Sequence, residues 1–154
     1  MKLRVEGPLT GQSHVCEPIL RALPDWFGLE ASTQAYIKQT DLLPTFVAVT
    51  EESTVGFLTV KQHSAAAAEI LVMCVLPQYH RQGIGRALVE DAEDYMRRTG
   101  ISFLQVKTLS ARHPDPNYAR TRAFYKAVGF VELEEFTEIW EAGSPCLQMI
   151  KYLL

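Results

Sequence analysis

The stretch from Val75 to Leu88 constrains the fold of this chain more than any other. An apolar run ends at Pro77, a short basic loop follows, and two glycines, Gly83 and Gly85, precede a segment with helical periodicity. The pattern predicts a strand that turns directly into a helix. Such a turn directs several backbone N–H groups and the positive end of the helix dipole at one point, where a phosphate or pyrophosphate binds well. We therefore predict an anion-binding turn here.

The glycines match neither of two common nucleotide-binding motifs. A Walker-type loop ends in Gly-Lys-Ser or Gly-Lys-Thr, whereas Gly85 is followed by Arg-Ala. A dinucleotide fingerprint has a small residue three positions after its second glycine, and Leu88 stands there. A turn whose glycines serve packing alone is the remaining alternative. Three basic residues surround the turn and favour a bound anion instead: His80, Arg81 and Arg86.

The composition excludes several classes of protein. A chain of 154 residues is expected to form one domain, residues 1–154, with an ordinary core. The net charge of −3 favours neither nucleic acid nor an acidic membrane surface as a partner. The cysteines, Cys16, Cys74 and Cys146, are widely spaced and form no metal-binding motif. No stretch is apolar for long enough to span a membrane. We expect a cytoplasmic protein that binds no metal.

Periodicity and turn residues predict four helices and six strands. The predicted helices cover 13–23, Leu29–Gln39, the segment from Ile84 to a cap at Gly100, and Asn117–Val128. The predicted strands cover Thr45–Thr50, Thr54–Val60, Glu69–Val75, Ser102–Thr108, Phe136–Trp140 and Cys146–Leu153. The first two strands are expected to form a hairpin around the turn Glu51–Ser53. This order predicts an α/β (α+β) protein with a single mixed, mostly antiparallel sheet flanked by helices on both faces.

The turn and its surroundings resemble the GNAT superfamily of N-acetyltransferases, and the likeness extends over nearly the whole chain. The superfamily's motif reads Gln/Arg-x-x-Gly-x-Gly/Ala, and this chain has His80-Arg-Gln-Gly-Ile-Gly85, so His80 departs from the usual first residue. The resemblance implies a loop that binds the pyrophosphate of acetyl-CoA and a preceding strand that pairs with the pantetheine arm. The donor-binding residues that it implies are Met73, Cys74, Val75, His80, Arg81, Gln82, Gly83, Ile84, Gly85 and Arg86.

A second signature of the superfamily, Phe/Leu-Tyr-x-x-x-Gly-Phe, is matched by the segment Phe124–Phe130. The resemblance implies that Tyr125 hydrogen-bonds the coenzyme A sulfur and protonates the leaving thiolate as a general acid. A phenol has an ordinary pKa of about 10, close enough to a thiol to donate without strong tuning. Periodicity alone favours a core aromatic residue at this position. Tyr118 stands where the superfamily often has Asn and shares a helix face with Tyr125, so we also expect it to contact the donor.

Glu69 is the candidate for the base that deprotonates the acceptor. It opens an apolar strand fourteen residues before Gly83, within Ala68-Glu69-Ile70. Histone-acetylating members of the superfamily place their base glutamate at a similar position, so the resemblance implies this role for Glu69. The alternatives are an exposed strand-end carboxylate without a catalytic part, and a base role filled by waters or backbone carbonyls, as in many members of the superfamily.

The acceptor end of the site is less distinct in the sequence. Trp26 and Phe27, beside Asp25 and Glu30, are candidates because aromatic faces and carboxylates attract a cationic amine. The same aromatic residues are consistent with packing at a corner between two helices. The acceptor-binding residues therefore stay open at this point.

The sequence thus predicts an acetyl-CoA-dependent N-acetyltransferase that moves the acetyl group directly to a primary amine, with a small molecule as acceptor. Direct transfer is favoured because no Cys, His and Asp residues show the spacing of a nucleophilic triad. The alternatives are acetylation of a peptide or protein amine, and a non-catalytic acyl-CoA-binding sensor. The C-terminal strands and Trp140 offer an edge for a homodimer, and no nucleic acid or membrane partner is expected.

Overall fold

The computed structural model describes residues 2–51 and 53–154, which form seven strands and four α-helices. The strands are β1 (Leu3–Leu9), β2 (Thr45–Thr50), β3 (Ser53–Gln62), β4 (Ala67–Val75), β5 (Phe103–Leu109), β6 (Val131–Phe136) and β7 (Cys146–Tyr152). The helices are α1 (Ser13–Arg21), α2 (Glu30–Leu42), α3 (Ile84–Arg98) and α4 (Pro116–Ala127). A short 3₁₀ turn, Pro77–Tyr79, leads from β4 towards α3.

All of these strands lie in one sheet, in the order β1-β2-β3-β4-β5-β7-β6. Among the described residues, five of the six pairings are antiparallel, and β4–β5 is parallel. The parallel pair follows from α3, which returns the chain from the end of β4 to the start of β5. The predicted single mixed, mostly antiparallel sheet is therefore confirmed.

The helices cover opposite faces of the sheet. Apolar residues of α1, including Ile19 and Leu20, pack on β2, β3 and the end of β4. On the other face, α3 buries a stripe at helical spacing, and Tyr125 of α4 and Val128 directly after it belong to the same cluster. The periodicity of these segments predicts this arrangement because one apolar stripe per helix must be buried. No helix in the described part of the chain has the length and apolarity to cross a membrane.

Two strands differ from the prediction. Phe136–Trp140 is not a strand: the strand is Val131–Phe136, and residues 137–140 are a bend. β6 contains three glutamates and therefore has no apolar pattern that would predict a strand. It pairs with β7 through backbone hydrogen bonds at an exposed edge of the sheet. β1 escapes prediction for a similar reason, since most of its residues are exposed at the opposite edge. Glu52, the centre of the turn predicted between β2 and β3, lies outside the described residues.

Candidate active site

The site begins where two neighbouring strands separate. β4 and β5 pair through three residue pairs, of which the last joins Glu69 to Gln105. Beyond that pair, β4 continues to Val75 and β5 to Leu109 without pairing to each other. The gap opens into a cavity of about 1190 Å³. An extended ligand can hydrogen-bond to a strand edge exposed in this way.

A β-bulge in β4 lies directly after the last β4–β5 pair. The register between β3 and β4 steps from Val60–Ile70 to Thr59–Val72, so Leu71 is an extra residue on β4. A bulge bends the strand that carries it and increases its twist. The bulge therefore accounts for the separation of β4 from β5 at this point.

The other end of the cleft is the start of α3. Gly83 caps the helix with a φ of 80°, and Arg81 also has a positive φ of 61°. The first helical hydrogen bond runs from Ala87 N–H to Gly83 O at 3.0 Å. The N–H groups of the three preceding residues, 84–86, consequently have no partner within the helix. Together with the helix dipole they form the anion-binding turn that the sequence predicts.

The two glycines of the turn serve different purposes. Gly83 has the left-handed conformation that side chains disfavour, and a Cβ built on it would meet nothing within 4 Å. A Cβ on Gly85 would lie 3.1 Å from ring atoms of Phe124 on α4. Gly83 therefore leaves the anion-binding turn open, whereas Gly85 lets α3 and α4 approach each other.

The cations around the turn are partly engaged with the backbone. The His80 ring donates from Nε2 to Val75 O at 2.7 Å, and Arg86 Nη2 donates to Ala127 O at 3.4 Å. Arg81 is exposed on the cleft wall. Gln82 donates to Gln78 O and does not line the cleft. Arg81 is thus the cation of the loop best placed to meet an anion directly, while His80 and Arg86 also hold the loop in shape.

Tyr125 lies on the cleft wall at the inner end of α4 and is 7% exposed. Its ring packs edge-on against Phe124 and Phe130, with centroid distances of 5.5 Å in both cases. Burial raises the pKa of its phenol well above the ordinary value of about 10. The phenol therefore keeps its proton at neutral pH. Tyr125 is both a core aromatic residue and a proton-bearing group in the cleft.

Tyr118 connects α4 to the segment between α1 and α2. Its hydroxyl donates to Trp26 O at 2.8 Å, and the Trp26 indole N–H donates to Thr121 Oγ1 at 3.2 Å. Trp26 also meets the ring of His80 edge-on, with the centroids 6.2 Å apart. Burial raises the pKa of Tyr118 to about 12, so its hydroxyl remains a donor. Tyr118 therefore lines the cleft and also holds Trp26 against α4.

The predicted acceptor residues divide into two groups. Phe27 lines the cleft and packs edge-on against Tyr36 on α2, with the centroids 5.7 Å apart. Asp25 and Glu30 do not line the cleft, and Glu30 is held by Arg21 at 2.9 Å. Trp26 and Phe27 thus serve as packing residues and cleft wall at once, whereas the carboxylates beside them contribute no charge to the wall.

Glu69 is 5% exposed, so the alternative of an exposed carboxylate is wrong. Its Oε1 lies 2.7 Å from His63 Nε2, 3.4 Å from Gln105 Nε2 and 3.6 Å from Lys107 Nζ. Lys107 lines the cleft, whereas Glu69 stands behind it at the base of the gap. A buried carboxylate is stabilised by such donors, and these connect Glu69 to the cleft through Lys107 and to solvent through His63.

Several residues of the cleft wall carry no sequence signal as site residues. Thr108 on β5 and Arg120 on α4 both line it, and their positions become apparent only when the two elements face each other. Cys74 also lines the wall, and burial raises the pKa of its thiol well above the ordinary range, which disfavours a thiolate nucleophile. No group of three or more His, Cys, Asp or Glu side chains in residues 2–51 and 53–154 is arranged to hold a metal.

Comparisons with known proteins agree with this geometry. The model of the acetyltransferase (GNAT) domain family matches residues 42–132. An uncharacterized N-acetyltransferase of Chlorobaculum tepidum is 29% identical over 104 residues, which are 66% of this chain. The match spans 60% of the length of that curated relative.

Solved structures share the fold at low sequence identity. A GNAT-family protein of Desulfovibrio desulfuricans superimposes with a TM-score of 0.86 at 16% identity, over 99% of this chain and 100% of that one. The PaiA N-acetyltransferase of Thermoplasma acidophilum, solved in complex with coenzyme A, gives a TM-score of 0.75 at 17% identity over 99% of both chains. The family match covers more than half of the chain, from the end of α2 into β6, and includes both glycines and Tyr125. The chain therefore belongs to the GNAT family of acetyltransferases.

Proposed function

We propose that this protein is an acetyl-CoA-dependent N-acetyltransferase that moves the acetyl group directly to a primary amine of a small molecule. The observation that carries the proposal is the continuity of the cleft. Its wall runs from the unpaired edge of β4, with Met73, Cys74 and Val75, to the free N–H groups at the start of α3. This arrangement suits a ligand that has an extended amide arm at one end and a pyrophosphate at the other.

The residues present fit acetyl-CoA at both ends. Gly83 has open space where a Cβ would stand, so phosphate oxygens can approach the N–H groups of residues 84–86. Arg81 on the loop and Arg120 on α4 add positive charge to the wall. Met73–Val75 form the edge of β4 that is unpaired with β5, and this edge can pair with the pantetheine arm as a further strand would. Acetyl-CoA supplies the activated acyl group when it is bound.

The catalytic residues that we propose lie towards the base of the gap. Tyr125 keeps its proton and donates a hydrogen bond to the sulfur that leaves, because burial disfavours its ionised form. A backbone N–H of β4 polarises the thioester carbonyl. Glu69 accepts the proton that the amine releases, by way of water beside Lys107, since Glu69 itself does not line the cleft. The rate then depends largely on holding the two reactants together.

The apolar part of the cavity wall supports an acceptor with an apolar body. Exposed apolar side chains contribute to this wall, among them Leu29, Ile139 and Trp140. Large exposed apolar groups around a cavity are typical of a binding site. We therefore infer that the amine belongs to a small molecule with an aromatic or aliphatic portion. We also propose that residues 1–154 act as one acetyltransferase domain in the cytoplasm.

The proposal is tested by measuring acetyl-CoA affinity by calorimetry and free thiol release against a panel of amines. The panel contains arylalkylamines, polyamines, amino acids and short peptides with a free α-amine or a lysine. We expect turnover with a small amine, and a Tyr125→Phe variant with at least tenfold lower kcat and unchanged affinity. The matched control is Tyr152→Phe, since Tyr152 is exposed and remote from the cleft.

Three outcomes contradict the proposal. Preferred turnover of peptides would indicate a protein or peptide acetyltransferase. Tight binding of acetyl-CoA without turnover of any amine would favour the acyl-CoA sensor. Absence of acetyl-CoA binding would remove the donor assignment altogether.

A further inference from the structure

Thr108 carries a hydroxyl that the folded chain leaves without a partner. The residue lies on β5, is 3% exposed and forms part of the cleft wall. Its Oγ1 has no hydrogen-bond partner in residues 2–51 and 53–154. A buried hydroxyl without a partner costs free energy that a valine of the same shape would not. Because Thr108 belongs to the cleft wall, a bound ligand can supply the missing partner.

The topology places Thr108 close to the reacting end of the proposed donor site. It stands three residues beyond Gln105, within the part of β5 that has separated from β4. Thr108 pairs with Leu147 on β7, and the side chains of paired residues lie on the same face of a sheet. Leu147 belongs to the same core cluster as Tyr125, so Thr108 faces the α4 side of the sheet. Arg122 Nη1 donates to Leu109 O at 2.6 Å, which holds this turn of α4 against the end of β5.

The side chain of Thr108 can reorient its hydroxyl without movement of the backbone. Its Oγ1 is itself buried, and a rotation of about 120° in χ1 moves the hydroxyl to the next staggered position. Val at the same position would present two methyl groups and retain the shape. The hydroxyl is therefore the one feature that distinguishes Thr108 from an ordinary apolar strand residue.

We propose that Thr108 is a donor-binding residue whose hydroxyl hydrogen-bonds the acyl-thioester end of bound acetyl-CoA, opposite the β4 edge. The inference rests on the proposed function, since it concerns the same cleft. The hydroxyl and the phenol of Tyr125 lie on the same side of the sheet, so the thioester contacts two protein hydroxyls from that side. Thr108 holds the acyl group in place, and Tyr125 donates a hydrogen bond to the sulfur.

The structure also provides a matched control. Thr50 on β2 is 2% exposed, and its Oγ1 likewise has no partner in the described residues, but it lies outside the cleft wall. Thr50→Val and Thr108→Val thus remove the same kind of group from the same kind of strand. A difference between the two variants in acetyl-CoA affinity is then due to the position of Thr108 in the cleft and not to the loss of a buried hydroxyl in general.

The experiment compares Thr108→Val, Thr108→Ser and Thr50→Val with the wild type. Thermal midpoints, acetyl-CoA affinity and kcat/KM are measured, together with the affinity for ADP, which has the pyrophosphate but no pantetheine arm. For Thr108→Val we expect a thermal midpoint at or above that of the wild type, and an acetyl-CoA affinity and kcat/KM lower by about tenfold, as the loss of one hydrogen bond predicts. The ADP affinity stays unchanged. Thr108→Ser restores most of the loss, and Thr50→Val behaves as the wild type.

Acetyl-CoA affinity and turnover in Thr108→Val within twofold of the wild type would overturn the inference and leave the proposed function intact. An equal loss of ADP affinity would also overturn it, because the contact would then not be at the thioester end. A wild type that binds no acetyl-CoA would overturn the proposed function and this inference together. A wild type that binds without turnover still tests Thr108 through the two affinities.

Discussion

Gly85 on α3 lies against the ring of Phe124 on α4, so closely that a Cβ at position 85 would be 3.1 Å from two of the ring atoms. The helices that form one wall of the cleft therefore meet at a residue without a side chain. Arg86, the next residue, donates to the carbonyl of Ala127 at the end of α4 and adds a second contact between the same helices. The second glycine of the motif thus fixes the position of α4, and with it the position of Tyr125.

Replacing Gly85 with Val should destabilise the protein by about 1–3 kcal/mol, because the added side chain must displace the ring of Phe124. Urea denaturation measures the change in free energy of unfolding. Adding Phe124→Leu to the variant should recover at least half of the loss, since leucine vacates the space. Equal stabilities for Gly85→Val and the wild type would show that Phe124 moves away freely.

Replacing Gly83 with Ala should cost about 1–2 kcal/mol of stability, because a Cβ disfavours the φ of 80° at this position. The same Cβ would project into the open turn, so we also expect affinity for ADP and acetyl-CoA to fall at least fivefold in calorimetry. Gly100→Ala is the control, since Gly100 has a φ of 85° and equally open surroundings beyond the end of α3. It should lose similar stability and bind the ligands normally, and equal ligand affinities in the two variants would remove Gly83 from the donor site.

Tyr125 should make the protein less stable in alkali. Burial raises its pKa in the folded state, whereas the unfolded chain ionises near pH 10, so the folded state holds more protons above that pH. Stability linked to Tyr125 is therefore fully present below pH 10 and is lost as the pH rises beyond it. Between pH 10 and 11 the wild type should lose about 1 kcal/mol more than Tyr125→Phe. Parallel declines in urea midpoints for the two proteins would mean that the phenol ionises as freely in the folded protein.

Replacing Glu69 with Gln should lower kcat by about a hundredfold if the carboxylate accepts the proton of the amine. The amide keeps the shape of the side chain, so acetyl-CoA affinity should not change. Glu90→Gln on the exposed face of α3 provides a control for the loss of one negative charge. A kcat for Glu69→Gln within threefold of the wild type would assign the base role to water alone.

The sequence allows much of the fold to be predicted because most elements carry a local pattern. The apolar run of β4, the glycines after it and the helical stripe of α3 lie within one continuous segment, and each follows from its own residues. The edge strands are the exception. In β6, Val131 and Leu133 are exposed among glutamates, and only the backbone of β7 makes this segment a strand.

The candidate site shows the same division more sharply. The anion-binding turn and the tyrosine of α4 can be recognised in the sequence, because their residues stand at fixed spacings within single elements. The neighbours of Glu69 cannot, since His63 follows β3 whereas Gln105 and Lys107 lie about forty residues later on β5. Nor can the link between Tyr118 and Trp26, which are 92 residues apart.

By itself, the sequence determined the donor end of this protein: a strand, two glycines and a helix whose backbone amides converge on one point. Those features depend on local geometry, which nearby residues decide. Only the tertiary structure decided that β4 and β5 part after Glu69 and Gln105, that Glu69 is buried behind Lys107, and that Thr108 faces the cleft without a partner. These relationships join distant segments, and their energies come from register, burial and unpaired polar groups, which arise only when the chain packs.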